Sequence, residues 1–216
     1  MLGTVWDRTV TARRPRTGYR FRGVTMPTSA HPAIRRVRRQ GVTPLIHGNK
    51  LWKSSLLLID YLHTHRPSHH ATVIDIGCGW GISGIWCAST LGSDVTSVDA
   101  DPDVFPLLHA TADLNGVTTT PQVARFETLS TRQLSRFDML IAADICFWDD
   151  LVNPVFNLVN RAVKAGVKHI VIADPERPPF FDLAQRCETR HYAEIIEWKT
   201  SNPIKAGGAL LIIENA

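Results

Sequence analysis

From residue 51 onward, apolar positions fall into blocks that switch between helical and extended periods. Leu51, Trp52, Leu56, Ile59 and Leu62 recur at roughly helical spacing and predict a helix over 51–65, which Arg66-Pro67-Ser68 ends. The blocks 71–76, 94–99, 138–143 and 167–173 are short and carry apolar residues without a helical period, as expected of strands covered on both faces. Helices are predicted between them. One spans 81–91. A second has Asp101 as N-cap, Pro102 in its first turn and Gly116 past its end. A third carries Val152, Val155, Phe156, Val159 and Val163 on one face and closes at Gly166. A short strand is expected over 121–126 and a helix over 180–189. The last two strands, 192–198 and 209–213, have no helical pattern between them and should close as an antiparallel hairpin. The pattern predicts an α/β fold: a seven-strand, mostly parallel sheet with a C-terminal antiparallel hairpin and helices on both faces.

Composition supports this and adds an asymmetry. The chain has 216 residues, 44% hydrophobic and 20% charged, which suits one globular domain. No apolar run is long enough to span a bilayer, so no membrane partner is expected. The N-terminus is arginine-rich without the apolar core of a secretory signal. Cys78, Cys87, Cys146 and Cys187 form no CxxC pair, a pattern expected of reduced thiols in a cytoplasmic protein. The net charge of +4 is uneven. Residues 1–50 hold ten Arg and one Lys against Asp7 alone, whereas the remainder carries 13 basic and 19 acidic groups. Residues 1–42 show no clean period and are expected to form a basic, poorly ordered arm ahead of a domain over 43–216. Three readings of the arm stay open: contact with nucleic acid or an acidic partner, a plain tail, or a chain that truly starts at Met26.

The segment Val73-Ile-Asp-Ile-Gly-Cys-Gly-Trp-Gly-Ile-Ser-Gly84 carries the most information. A buried strand runs into Gly77, Gly79 and Gly81 and then into a helix. Glycines there permit a sharp turn and close approach to a ligand, and the helix start adds unpaired amides. The ligand should sit beyond the carboxyl ends of the strands of a Rossmann-like sheet. Starting at Gly79, the string fits a dinucleotide fingerprint with Asp99 as ribose acid. Starting at Gly77, it fits the D-x-G-x-G-x-G pattern of methyltransferases, with Asp75 in the strand and Asp99 at the end of the next. The apolar run ends at Ile76, so Gly77 opens the turn and S-adenosylmethionine is the expected cofactor. Asp99 offers two acceptor oxygens to the ribose hydroxyls. Asp101 is the alternative, but it already serves as an N-cap. Glu127 is placed to meet the adenine amine, or is a solvated surface carboxylate.

Gly48-Asn-Lys-Leu-Trp-Lys-Ser-Ser-Leu, the glycine turn, Asn115-Gly116-Val117 and Ala143-Asp-Ile-Cys-Phe147 together resemble methyltransferase family 16. These are seven-strand protein-lysine methyltransferases, often filed in bacteria with predicted nicotinamide N-methyltransferases. The likeness covers roughly 48–173. It implies that Asp144-Ile-Cys-Phe147 is the family's acid–x–x–aromatic element, with Ala143 beside it at the cofactor and Asp144 and Phe147 catalytic. It places Trp52 near the cofactor, and Asp174-Pro-Glu-Arg-Pro178 resembles a loop of some members. Phe147 stands where many members have Tyr, and Lys50 and Lys53 flank Trp52 where acidic or small residues are commoner.

The implied reaction is transfer of a methyl group to a protein lysine by what is expected to be a monomer, with no metal. Asp144 is expected to orient the amine, or else to cap the helix after Trp148. Phe147, Trp148 and Trp52 are expected to exclude water and favour the sulfonium through their ring faces, or to serve as packing. The D/N-P-P-Y/F string of base methylators does not follow the strand ending at Ala143, which disfavours nucleic acid as the acceptor. The histidines His63, His65, His69 and His70 lack an adjacent acid or cysteine. A small-molecule amine methyltransferase and a nucleic-acid-associated binding module are the competing functions.

Overall fold

A computed structural model describes residues 17–45, 48, 50–201 and 204–215. Two short strands, β1 (Gly18–Phe21) and β2 (Val24–Pro27), pair antiparallel and lead to helix α1 (Pro32–Arg39). Helix α2 (Ser54–Thr64) follows, then β3 (Thr72–Ile76) and α3 (Ile82–Trp86), whose last turn widens into a π-turn over Cys87–Leu91. β4 (Asp94–Asp99) leads through a 3₁₀ turn to α4 (Phe105–Asp113), and β5 (Thr120–Val123) to α5 (Thr131–Leu134). β6 (Met139–Ala143), α6 (Val152–Ala165), β7 (His169–Asp174) and α7 (Pro178–His191) alternate, and β8 (Glu194–Thr200) and β9 (Ala206–Glu214) finish the chain.

The seven strands order as β5-β4-β3-β6-β7-β9-β8. The first five are parallel; β9 runs antiparallel to β7 and to β8. This is the expected sheet. The reversal of strand order between β3 and β6 opens a crevice at their carboxyl ends, the usual ligand position in such sheets. One core lies under α2, α3 and α4, and a second under α6 and α7.

Residues 18–39 correct the expectation of a poorly ordered arm. Phe21, Val24 and Met26 are buried in the same core as α2 and β3. Arg22 Nε donates to the buried Asp60 at 2.7 Å, and Trp198 Nε1 donates to the other Asp60 oxygen at 3.0 Å. Asn115 accepts from the Thr25 amide at 2.6 Å and donates to its carbonyl at 3.0 Å. The arginines that make this segment look disordered occupy the solvent side of elements whose few apolar residues point inward. Residues 1–16 of that arm, and Asn49 of the family-like string, lie outside the described residues.

Candidate active site

β3 ends at Ile76, and Gly77 opens the turn as its neighbours predict. Gly79 has φ 51°, a left-handed conformation that favours glycine, and a Cβ there would meet nothing within 4 Å. That open side faces a cleft of about 690 Å³, a size typical of small-ligand sites. Gly81 has φ 72°, and a Cβ would fall 1.8 Å from Leu108 Cδ1, so here glycine is demanded by close packing on α4.

The acids of β3 and β4 take different parts. Asp99 Oδ2 accepts the Gly79 amide at 3.0 Å, and Oδ1 accepts the Asp101 amide at 3.0 Å. Each oxygen keeps a second lone pair for a diol at the cleft. Burial raises the Asp99 carboxyl, partly offset by those two amides. Asp75 is almost fully buried below the turn. Its Oδ2 accepts the Gly84 amide at 3.1 Å, fastening α3 to β3, and burial pushes its pKa up to about 7. Asp101 is the N-cap expected, accepting the Asp103 amide at 3.0 Å, and it also holds the Leu45 amide at 2.6 Å.

The cleft is lined by Trp52, Asp75, Gly77, Gly79, Asp99, Glu127, Ala143, Asp144 and Phe147, so all but Gly81 of the residues singled out from sequence border it. Gly81 stands one turn behind. Glu127 borders the cleft from a 3₁₀ turn, and its carboxylate accepts from Arg125 Nη2 at 2.9 Å. The Lys50 ammonium lies 4.0 Å from the Trp52 ring centroid. Phe147 meets Trp148 edge-on at 4.7 Å, and Trp148 is 58% exposed at the rim.

Asp144 does not cap the following helix; the turn that starts at Trp148 has no side-chain cap. It lies buried just past β6 with φ 61°. Oδ1 pairs with Arg177 Nη2, and Oδ2 is buried with no hydrogen-bond partner among the described residues. The histidines serve packing: His65 stacks on Tyr61 at 4.4 Å and His63 meets Trp86 edge-on at 6.3 Å. Among the described residues no three His, Cys, Asp or Glu side chains converge as metal ligands.

Two site residues escaped the sequence patterns. Arg177 lies 33 positions from Asp144, and only the Asp174-Pro-Glu-Arg string pointed toward it. Trp80, inside the glycine turn, donates through Nε1 to the Gly48 carbonyl at 2.8 Å and packs with Ile34 and Leu107. It thereby fixes the segment that forms the near wall of the cleft.

The glycine turn and the paired acceptors of Asp99 suit a ligand that carries an adenosine-type diol. Fold and site define the class of S-adenosylmethionine-dependent methyltransferases. The structure is similar to the SAM-dependent methyltransferase from Agrobacterium tumefaciens, with TM-score 0.65 and 13% identity over 96% of this chain and 72% of that one. It is also similar to TrmN from Thermus thermophilus, with TM-score 0.60 and 18% identity over 75% and 49% of the two chains. Identities this low show the fold alone. Within the class, the chain belongs to the lysine methyltransferase family, which matches residues 37–195. It is 28% identical over 109 residues to the electron transfer flavoprotein beta subunit lysine methyltransferase of Rattus norvegicus, covering 50% of this chain and 42% of that protein. It is 27% identical over 156 residues to methyltransferase-like protein 22 of Mus musculus, covering 61% and 39%. The chain spans about two fifths of the length of these relatives.

Proposed function

We propose that this protein methylates the side-chain nitrogen of a lysine in a protein substrate. The observation that carries the reading is the unpartnered Oδ2 of Asp144, a buried oxygen on a residue that lines the same cleft as Asp99. Family membership and the protein-modifying relatives support the same acceptor.

S-adenosylmethionine, when bound, supplies an electrophilic methyl group on a sulfonium. Asp99 would hold the ribose hydroxyls and the amides of the glycine turn the polar end, while Glu127 and Ala143 would border the adenosyl side. A free lysine, with a reference pKa near 10.4, arrives protonated at neutral pH. Trp52, Phe147 and Trp148 would exclude water, which favours the neutral amine. Asp144 Oδ2 would accept its N–H and aim the lone pair. Alignment at about 3 Å is the main source of rate in such a displacement, worth up to ~7–11 kcal/mol. Free thiols at Cys78, Cys87, Cys146 and Cys187 suit a cytoplasmic setting.

Purified protein incubated with tritiated S-adenosylmethionine and a cell lysate should label a protein band, with the label recovered as methyl-lysine after hydrolysis. Asp144→Ala should reduce labelling by about 10²-fold or more. Label confined to small solutes, or a band indifferent to Asp144→Ala, would overturn the assignment.

A further inference from the structure

β7 ends in Asp174, a carboxylate almost wholly removed from solvent. Its Oδ1 accepts the Arg177 amide at 2.9 Å and its Oδ2 accepts Arg177 Nη1 at 3.0 Å. Glu176 closes the turn with φ 69°. Gly208 of β9 lies directly against this turn, since a Cβ there would fall 2.2 Å from the Asp174 carbonyl oxygen. Amide and guanidinium are thus both bound to one buried carboxylate, which leaves Arg177 little freedom of direction. Its other terminal nitrogen, Nη2, reaches Asp144 Oδ1. Asp144 is itself left-handed at φ 61°, a conformation non-glycine residues adopt rarely and keep only where the surroundings over-determine it.

We propose that Arg177 is the positioning residue of this active site: braced by Asp174, it commits Oδ1 of Asp144 and turns Oδ2 toward the acceptor nitrogen. The inference rests on Asp144 being the group that receives the acceptor. Its electrostatic consequence is specific. With both carboxylates ionised, the row Asp174–Arg177–Asp144 carries one net negative charge, and the unpartnered oxygen is where an acceptor N–H would meet it. Without the guanidinium, two buried carboxylates face each other, and the pair holds a shared proton to higher pH. An Asp144 so protonated would itself be a donor, wrong for receiving an amine N–H. A purely structural Arg177, tying β6 to β7, would be missed in stability and in cofactor affinity as much as in turnover.

The test uses full-length protein with ¹³C-labelled aspartate carboxyls, the Asp144 resonance being assigned by Asp144→Asn. In Arg177→Gln that resonance should titrate at least about one pH unit higher than in the parent, and Arg177→Lys should restore part of the difference. Affinity for S-adenosylhomocysteine, measured by calorimetry, should change less than about threefold, showing an intact cofactor side. Turnover on a protein acceptor should fall by about 10²-fold with the KM for S-adenosylmethionine little changed. An Asp144 resonance that titrates identically in Arg177→Gln overturns the proposal. Absence of any labelled protein with the parent enzyme overturns the lysine reading instead, and the carboxyl titration still decides whether Arg177 governs Asp144.

Discussion

The backbone amide of Gly79 donates to Asp99 Oδ2 at 3.0 Å, so the turn that leaves β3 is fastened to the carboxylate that ends β4. The two halves of the proposed cofactor cradle are therefore one hydrogen-bonded unit. Asp99→Ala removes the anchor of the turn and both acceptors for a diol. Hydrogen bonds to charged groups are each worth about 1.5–3 kcal/mol, so affinity for S-adenosylhomocysteine should fall by about 10²-fold or more in calorimetry. Asp99→Asn keeps one acceptor oxygen and should lose less. A variant that binds as tightly as the parent would show that the cofactor does not use this cradle.

Much of this unit was legible in sequence, and the reasons are physical. β4 runs Asp94–Asp99 as predicted: buried Val95 and Val98 mark the strand, and an aspartate stands at each end. Gly166 terminates α6 in the left-handed conformation that its identity implies. The β1–β2 hairpin was not legible: strands of four residues, set in an arginine-rich segment, are too short to show a period. Nor was the link from Arg177 to Asp144, since a contact across 33 positions leaves no spacing to read. The strand expected over 121–126 stops at Val123, and the Phe126–Thr128 turn takes over, with Arg125 meeting the Glu127 carboxylate.

Gly81→Ala should be far more damaging than Gly116→Ala. Both have positive φ, but a Cβ at Gly81 lands 1.8 Å from Leu108 Cδ1, whereas at Gly116 it meets nothing within 4 Å. The left-handed backbone costs roughly 1–2 kcal/mol at either site, and overpacking adds about 1–3 kcal/mol at Gly81 alone. Urea denaturation should therefore separate the two variants by about 1–3 kcal/mol. Equal losses would mean that α4 yields freely to the turn.

Asp75 makes stability depend on pH. Burial raises its folded pKa to about 7 against an ordinary 3.8. Between roughly pH 4 and pH 7 the folded protein retains this proton while the unfolded chain has released it. Raising the pH through that window therefore removes stability. Asp75→Asn, whose amide oxygen can still accept the Gly84 amide, should abolish this component. The variant should melt several degrees above the parent at pH 8, and the gap should close toward pH 4. A gap that is constant with pH would show that Asp75 is not the titrating group.

The N-terminal hairpin gives the sharpest test of where the folded unit begins. Phe21 is only 3% exposed and packs in the same core as α2 and β3, while Arg22 beside it reaches the buried Asp60. Truncating a buried Phe removes its transfer free energy and leaves a cavity, typically about 3–5 kcal/mol. Phe21→Ala should therefore lower unfolding free energy by about 3 kcal/mol or more in chemical denaturation. Arg35→Ala, on the exposed side of α1, should change it by less than about 0.5 kcal/mol. The contrast separates two ideas that the arginine-rich composition confounds. If the segment were a solvated arm, both substitutions would be silent. A large loss confined to Phe21 would mean that the cofactor domain needs residues well ahead of 43 to close its core.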